Sequence, residues 1–263
     1  MRFYGIREKM EEKGITLGML AEGTRIPLPE LIKVREGEEA QVSVEERERL
    51  ENLLELESFD VTPNGTENII RESPVYLARK SDYTLEDYDA LPDDVRAELI
   101  DGQFFVMDAP FLEHQVVSGA LYFAMQQYIR EKKGTCFVLT APVGVQIDCD
   151  EKTVVQPDIL IICDRKKMIK RGIIGAPDLI VEILSESTRK KDMGIKLRKY
   201  RDAGVREYWM VDIRHRQVIV YYFEKDENPI IYGFEVKVPV GIYDGELEID
   251  FEEIKERLEL ISD

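Results

Sequence analysis

The chain has 263 residues, 44% hydrophobic and 9% aromatic, which excludes a disordered chain and leaves room for one sizeable domain plus a small one. No apolar run approaches the roughly 20 residues needed to span a bilayer as a helix, and the charged opening MRFYGIREKMEEKG lacks the apolar stretch of a signal peptide. A net charge of −17 opposes non-specific association with nucleic acid, so such a partner requires a local basic patch or bridging cations.

Residues 1–57 carry helical spacing and almost no strand signal. Ile6, Met10 and Lys13 mark a first helix that stops at Gly14, and Thr16 is the expected N-cap of a second, with Leu17, Leu20 and Ala21 inward. After a turn near Gly23 to Pro27, LPELIKVREGE predicts a third helix ended by Gly37. Ser43 caps a fourth, VEERERLENLLEL, whose apolar positions are Val44, Leu50, Leu53, Leu54 and Leu56. This unit is itself acidic, with 9 Lys and Arg against 14 Asp and Glu. From 58 to 82 the periodicity fades around Pro63, Gly65 and Pro74, as in a linker.

Residues 83–263 read as a mixed domain. TLEDYDAL predicts a short helix capped by Thr84, and DDVRAELIDGQ a helix or turn leading into a hairpin through Asp101-Gly102. FFVMDA is a strand, and residues 113–132 form a long amphipathic helix with Val117, Leu121, Ala124, Met125 and Ile129 on one face. Strands follow near CFVLTAPVGVQID, DILIICD, DLIVEILS, EYWMVDI and QVIVYYFE, with the helix KDMGIKLRKYRDAG between the third and fourth. Long β-branched runs of this kind suggest a central sheet covered on both sides. A turn-rich stretch and a last helix, IDFEEIKERLEL, close the chain. Cys136, Cys149 and Cys163 are odd in number and form no CxxC pair, so they read as reduced thiols and a cytoplasmic location is expected.

Glu182 interrupts the apolar run LIVEIL. An unpaired buried carboxylate is costly and is normally paired, hydrogen-bonded or metal-bound. Asp158 opens the apolar run ILII, and if the two strands pair, the carboxylates approach closely and repel unless a cation intervenes or one is protonated. Mg²⁺ is commonly held by one or two carboxylates plus water and substrate phosphate. Lys196 and Tyr200, four apart on a helix, share one face. Glu98 offers a third carboxylate. Taken singly, such acids at strand ends also serve as caps.

Two resemblances gather these residues. TLGMLAEGTRIPLPELIKVREGE resembles the helix-turn-helix of Cro- and phage-repressor-like regulators, with Arg25 where that family often has glycine. It implies that the third helix enters a DNA major groove with Lys33 and Arg35 as its cations; otherwise the unit is a helical bundle for dimerisation or docking. RAELIDGQFFVM, His114, VQPDILII, GAPDLIVEILSEST and KLRKYRDAGVREYWMVD resemble a large bacterial family of restriction endonucleases (Uma2-type) in the PD-(D/E)xK nuclease superfamily. That likeness implies an α/β (α+β) restriction-endonuclease-like core, a mixed central sheet flanked by helices, beside the small all-α domain. By it Asp158 and Glu182 are the PD aspartate and second acid, and Glu98 the acid of the first helix. The superfamily lysine, normally two residues after the second acid where Leu184 stands, moves to Lys196.

The implied activity is a metal-dependent DNA endonuclease with a helix-turn-helix targeting domain. Glu98, Asp158, Glu182 and the backbone carbonyl of Ile183 would bind Mg²⁺, with Mn²⁺ as substitute, and Lys196 would orient the attacking water or stabilise phosphate charge. His114 supports the site or packs beside it, Tyr200 packs and hydrogen-bonds, and Asp178 is a cap or turn residue or else assists the metal. A homodimer would suit double-strand cutting. The alternatives are a DNA-binding regulatory or defence-associated protein with an inactive nuclease-like domain, and a protein-interaction module.

Overall fold

The structure, a computed structural model, describes residues 3, 5–54, 82–107, 109–186, 188–225 and 228–261. Leu56 and all but the last residue of the expected linker lie outside these. The chain divides into two compact units, Met1–Asp108 and Ala109–Asp263.

The first unit contains α1 (Ile6–Lys13), α2 (Leu17–Thr24), α3 (Leu28–Arg35), α4 (Val44–Leu54), α5 (Leu85–Asp89) and a hairpin of β1 (Ala97–Ile100) and β2 (Gln103–Val106). Thr16 caps α2 as the sequence predicts, its hydroxyl accepting the Met19 N–H at 3.2 Å. Ser43 and Glu46 cap α4 reciprocally: the Glu46 carboxylate accepts the Ser43 N–H at 2.9 Å. Ile6, Met10, Leu20, Ile26, Leu31, Val34, Leu50 and Leu54 form the core of the four helices. The turn between α2 and α3 passes through Arg25 at φ 63°, the left-handed region in which glycine is free of steric cost.

The segment VRAELI, expected as a helix or turn, contributes the first strand of the hairpin instead. Asp101 (φ 50°) and Gly102 (φ 74°) make the two-residue turn that the Asp-Gly pair signals. Val95, Ala97, Phe104 and Val106 pack with Leu17, Leu28 and Ile32 of α2 and α3. This apolar contact holds the hairpin within the first compact unit; the sequence pattern groups residues from 83 onward with the larger domain.

The second unit contains, in order, α6 (Leu112–Glu131), β3 (Phe137–Thr140), β4 (Gly144–Gln146), β5 (Ile159–Ile162), β6 (Met168–Ile169), β7 (Gly172–Ile174), β8 (Leu179–Ile183), α7 (Arg189–Lys191), α8 (Leu197–Ala203), β9 (Glu207–Asp212), β10 (Gln217–Tyr222), β11 (Ile230–Gly233), β12 (Lys237–Pro239), β13 (Glu248–Asp250) and α9 (Phe251–Glu259). Six strands form one mixed sheet in the order β11-β10-β9-β8-β5-β3. Within it β8 and β9 run parallel, and the other neighbours run antiparallel.

Both faces of the sheet centre are covered, which is why β5, β8 and β9 are buried along their whole length. On one face Val117, Leu121, Met125 and Ile129, repeating every four residues along α6, join Phe251, Ile254 and Leu258 of α9 over Ile159, Ile161, Val181, Ile183 and Trp209. Each such buried side chain contributes about 1.5–3 kcal/mol. The other face carries Ile180 and Glu182 of β8 and meets the helical segment 189–203. That segment is not one regular helix: between α7 and α8 the residues Asp192–Lys196 form a π-type turn.

One expectation about the cysteines is corrected. The antiparallel register pairs Phe137 with Ile162, so the flanking Cys136 and Cys163 stand opposite each other. Their Cα atoms are 4.0 Å apart and they form a disulfide, leaving Cys149 as the free thiol. Among the described residues no helix is long and apolar enough to cross a membrane.

Candidate active site

Glu182 sits in the middle of β8 and is 4% exposed. Two groups from the covering helical segment compensate it. The Lys196 ammonium lies 2.6 Å from Oε1, and the Tyr200 hydroxyl donates to the same oxygen at 2.6 Å. The four-residue spacing that puts Lys196 and Tyr200 on one helix face thus aims both at one carboxylate. Lys196 is itself 2% exposed and lies 3.5 Å from the buried Asp192 carboxylate.

Asp192 stands four residues before Lys196, on the same face, and the sequence reading passed over it although that spacing was the available signal. Tyr208 of β9 closes this layer, its hydroxyl donating to the Asp192 carbonyl at 3.2 Å and its ring meeting Tyr200 edge-on at 5.0 Å. Burial, reinforced by the negative charges of Glu182 and Asp192, pushes the Tyr208 phenol well above its usual range. Tyr208 is therefore a neutral donor.

Asp158 comes from the neighbouring strand. The register Ile159↔Val181 places it directly opposite Glu182, on the same face of the sheet. Its Oδ2 accepts the Ile183 N–H at 2.7 Å and lies 3.2 Å from Nε2 of His114, in the first turn of α6. Its Oδ1 has no partner among the described residues. Ile183 therefore engages Asp158 through its N–H, whereas the sequence reading singled out its carbonyl. Asp178 braces a neighbouring segment, accepting the Cys163 N–H at 2.8 Å.

The remaining candidates belong to the first unit. Glu98 is fully buried, and it stands on β1 opposite Phe105, not on a helix as the resemblance implied. On α3, Lys33 is 2.9 Å from Glu30, and Arg35 is 2.7 Å from Glu36 and 3.0 Å from Asp94. Both cations expected to meet DNA are thus paired within their own unit.

The second unit brings together Asp158, Glu182, Asp192, Lys196, Tyr200 and His114. Counting these as ionised, three carboxylates face one ammonium. The surplus negative charge and the all-oxygen donors suit a hard divalent cation, which Mg²⁺ sites satisfy with as few as one or two carboxylates. Among the described residues no three His, Cys, Asp or Glu side chains are grouped so as to hold a metal ion by themselves. Any ion at Asp158 and Glu182 would complete its shell with water, backbone or substrate oxygens.

A second constellation, which the sequence reading missed, lies at the same end of the sheet. Asp212 ends β9, and its carboxylate binds the Arg189 guanidinium and, at 2.9 Å, Nδ1 of His215. The His215 N–H also donates to it at 3.1 Å. Burial raises the Asp212 carboxyl, but the hydrogen bonds from Arg189 and His215 outweigh it and hold the group below its ordinary value.

Residues 85–235 match the family Uma2, described as "Putative restriction endonuclease". Over 139 residues the chain is 26% identical to an uncharacterised protein of Synechocystis sp. (strain ATCC 27184 / PCC 6803 / Kazusa), covering 52% of this chain and 72% of that protein. A crystal structure described as "a putative nuclease belonging to DUF820 from Anabaena variabilis ATCC 29413" is similar with a TM-score of 0.56 and 18% identity, over 66% of this chain and 98% of that one. At that identity the likeness speaks for the fold, a mixed restriction-endonuclease-like α/β architecture.

Proposed function

The chain belongs to the Uma2 family of restriction-endonuclease-like proteins, and from that premise we propose that it is a metal-dependent DNA endonuclease that hydrolyses phosphodiester bonds. The observation that carries this reading is the buried Glu182, held by Lys196 and Tyr200 with Asp158 opposite it. Buried ionisable groups that an apolar pair could replace without loss point to chemistry as their purpose.

Asp158 and Glu182 are the residues that would hold Mg²⁺ or Mn²⁺; Glu98 enters by its place in the family motif alone. When bound, such an ion supplies Lewis acidity to a phosphate oxygen and lowers the pKa of a coordinated water. The protein's own groups do the rest. Tyr200 and Lys196 fix the Glu182 carboxylate, and Lys196 is the one cation in the cluster able to balance charge that builds on a phosphate. The Ile183 N–H and His114 fix Oδ2 of Asp158 and leave Oδ1 to a ligand.

Targeting would fall to α2 and α3. The left-handed turn at Arg25 supports a helix-turn-helix geometry, but contact with DNA through Lys33 or Arg35 breaks existing ion pairs. A homodimer, which would suit double-strand cutting, is measurable by light scattering.

The test is incubation of plasmid and linear DNA with the purified chain, with Mg²⁺, with Mn²⁺ and with chelator. Metal-dependent cleavage that disappears in Glu182→Gln and Asp158→Asn is expected. Cleavage unchanged in Glu182→Gln removes the proposed site. No cleavage by the wild type leaves a DNA-binding protein with an inactive nuclease-like unit. A gel shift with Lys33→Ala and Arg35→Ala tests the helical unit, and unchanged affinity removes those residues as DNA contacts.

A further inference from the structure

An acidic chain that acts on DNA needs somewhere to hold a phosphate backbone. The end of the sheet where Asp158 and Glu182 meet supplies a candidate. Because β8 and β9 are parallel and pair Glu182 with Met210, Asp212 lies on the same face, one strand over and two residues further along. With strand spacing near 4.8 Å and a rise near 3.3 Å per residue, the two Cα atoms are roughly 8 Å apart. That separation spans two or three nucleotides at about 3.4 Å of rise each.

The residues at that point are built asymmetrically. The Asp212 carboxylate is 3% exposed, while its partners Arg189 and His215 are 37% and 55% exposed. A guanidinium has five N–H donors in a fixed plane. Among the described residues the Arg189 side chain spends its donors on Asp212 alone, so most of the fork remains available. The neighbouring Lys190 is exposed and its ammonium has no partner among the described residues. The turn that presents both is locked by Ser185 and Thr188: the Ser185 hydroxyl donates to Thr188 Oγ1 at 3.0 Å, and the Thr188 N–H donates back to Ser185 Oγ at 3.1 Å. His215 brings its ring Nδ1 to Oδ2, the oxygen that Arg189 also holds, and its backbone N–H to Oδ1, so both oxygens of Asp212 are engaged. A bare surface ion pair needs neither a buried acid nor a pinned turn.

We propose that Arg189, oriented by the buried Asp212, and Lys190 beside it form a contact for a backbone phosphate of the nucleic acid, next to the bond that Asp158 and Glu182 address. The identity of the ligand rests on the nuclease reading above. Asp212 is a positioning residue, and Arg189 is the group that touches the phosphate.

The experiment measures binding of a fluorescently labelled DNA duplex to the full chain by anisotropy, with chelator present to prevent cleavage, across a range of KCl concentrations. Arg189→Gln together with Lys190→Gln is expected to weaken binding at least tenfold at low salt. The slope of log K against log[salt] should fall by about 0.9 for each lost phosphate contact. Arg216→Gln, a cation paired with Glu259, should leave both readouts unchanged. Arg189→Lys separates charge from geometry: it retains the slope and loses affinity if the planar fork matters. Far-UV circular dichroism of each variant verifies that the fold survives.

If the wild type cleaves DNA while affinity and slope are unchanged in the double variant, the phosphate contact is wrong and the nuclease reading stands. If the wild type cleaves nothing with Mg²⁺ or Mn²⁺ yet binding falls in the double variant as expected, the nuclease reading is wrong and the contact stands. Wild-type chain that does not bind the duplex at any salt concentration overturns the contact.

Discussion

Replacing Lys196 by Met removes the ammonium and keeps most of the side-chain volume, so the effect reports on charge. The side chains of Lys196 and Glu182 are 2% and 5% exposed, and their heavy atoms are 2.6 Å apart. Stripping one partner from a buried ion pair leaves an uncompensated charge and costs about 3–5 kcal/mol. Tyr200 still donates to Glu182 in this variant, which favours the lower half of that range. At about 2–4 °C per kcal/mol for a unit of this size, the melting temperature should drop by about 6–16 °C.

Trp209 is the chain's single tryptophan. It is fully buried, and it pairs in register with Val181, the neighbour of Glu182. Its fluorescence during urea unfolding therefore reports this unit without signal from the other. The double variant Glu182→Gln/Lys196→Met should recover the part of the loss that Glu182 causes, while the buried Asp192 carboxylate, 3.5 Å from Lys196 in the wild type, still lacks that cation. Lys196→Met within 1 kcal/mol of wild type, or a double variant worse than the single one, would refute the coupled-pair account of Glu182.

Three further outcomes follow from the geometry. Arg25→Gly relieves the left-handed strain of the α2–α3 turn and, after the entropic penalty of glycine, should stabilise the helical unit by up to about 1 kcal/mol in a urea titration followed by circular dichroism; a net loss shows that the Arg25 side chain has a role of its own. Reducing the Cys136–Cys163 disulfide reopens a loop with a sequence separation of 27 and should cost about 3.5 kcal/mol by chain entropy, so an unfolding midpoint unchanged by reductant contradicts the bond. Asp212 is held below its ordinary 3.8, so its contribution to stability is present above that pH and is lost as the pH falls through the lower folded value. Arg189→Gln should therefore flatten the acid limb of the stability–pH curve, and identical limbs in the two proteins would contradict the pairing.

Much of the site was legible because burial and charge conflict openly in the sequence. Glu182 inside LIVEIL demanded a partner, and the four-residue spacing of Lys196 and Tyr200 supplied two. The four-residue repeat from Val117 to Ile129 likewise announced α6. The failures share a different cause, which is that they depend on which distant segments pack together. VRAELI is rich in good helix formers, yet the Asp101-Gly102 turn pairs it with QFFV as a strand. Cys136 and Cys163 carry no local spacing signal, and the register of β3 against β5 alone brings them face to face. Arg189, Asp212 and His215 are separated by more than twenty residues at the first step, and they meet because β8 and β9 run the same way.

The π-type turn at 192–196 bears on how this arrangement tolerates change. Such a turn carries one residue beyond the α-helical count, and each residue of a helix advances the side-chain direction by about 100°. Excising Gly194, whose Cα faces open space, would restore an unbroken α-helix at little local cost. In doing so it would swing everything that follows by more than a quarter of a revolution against Arg189 and the Ser185–Thr188 lock. Lys196 and Tyr200 could then face Glu182 only by dragging Arg189 away from Asp212. The extra residue acts as a phase adjuster, letting one stretch of chain serve two neighbouring acids that a regular spiral could not address together.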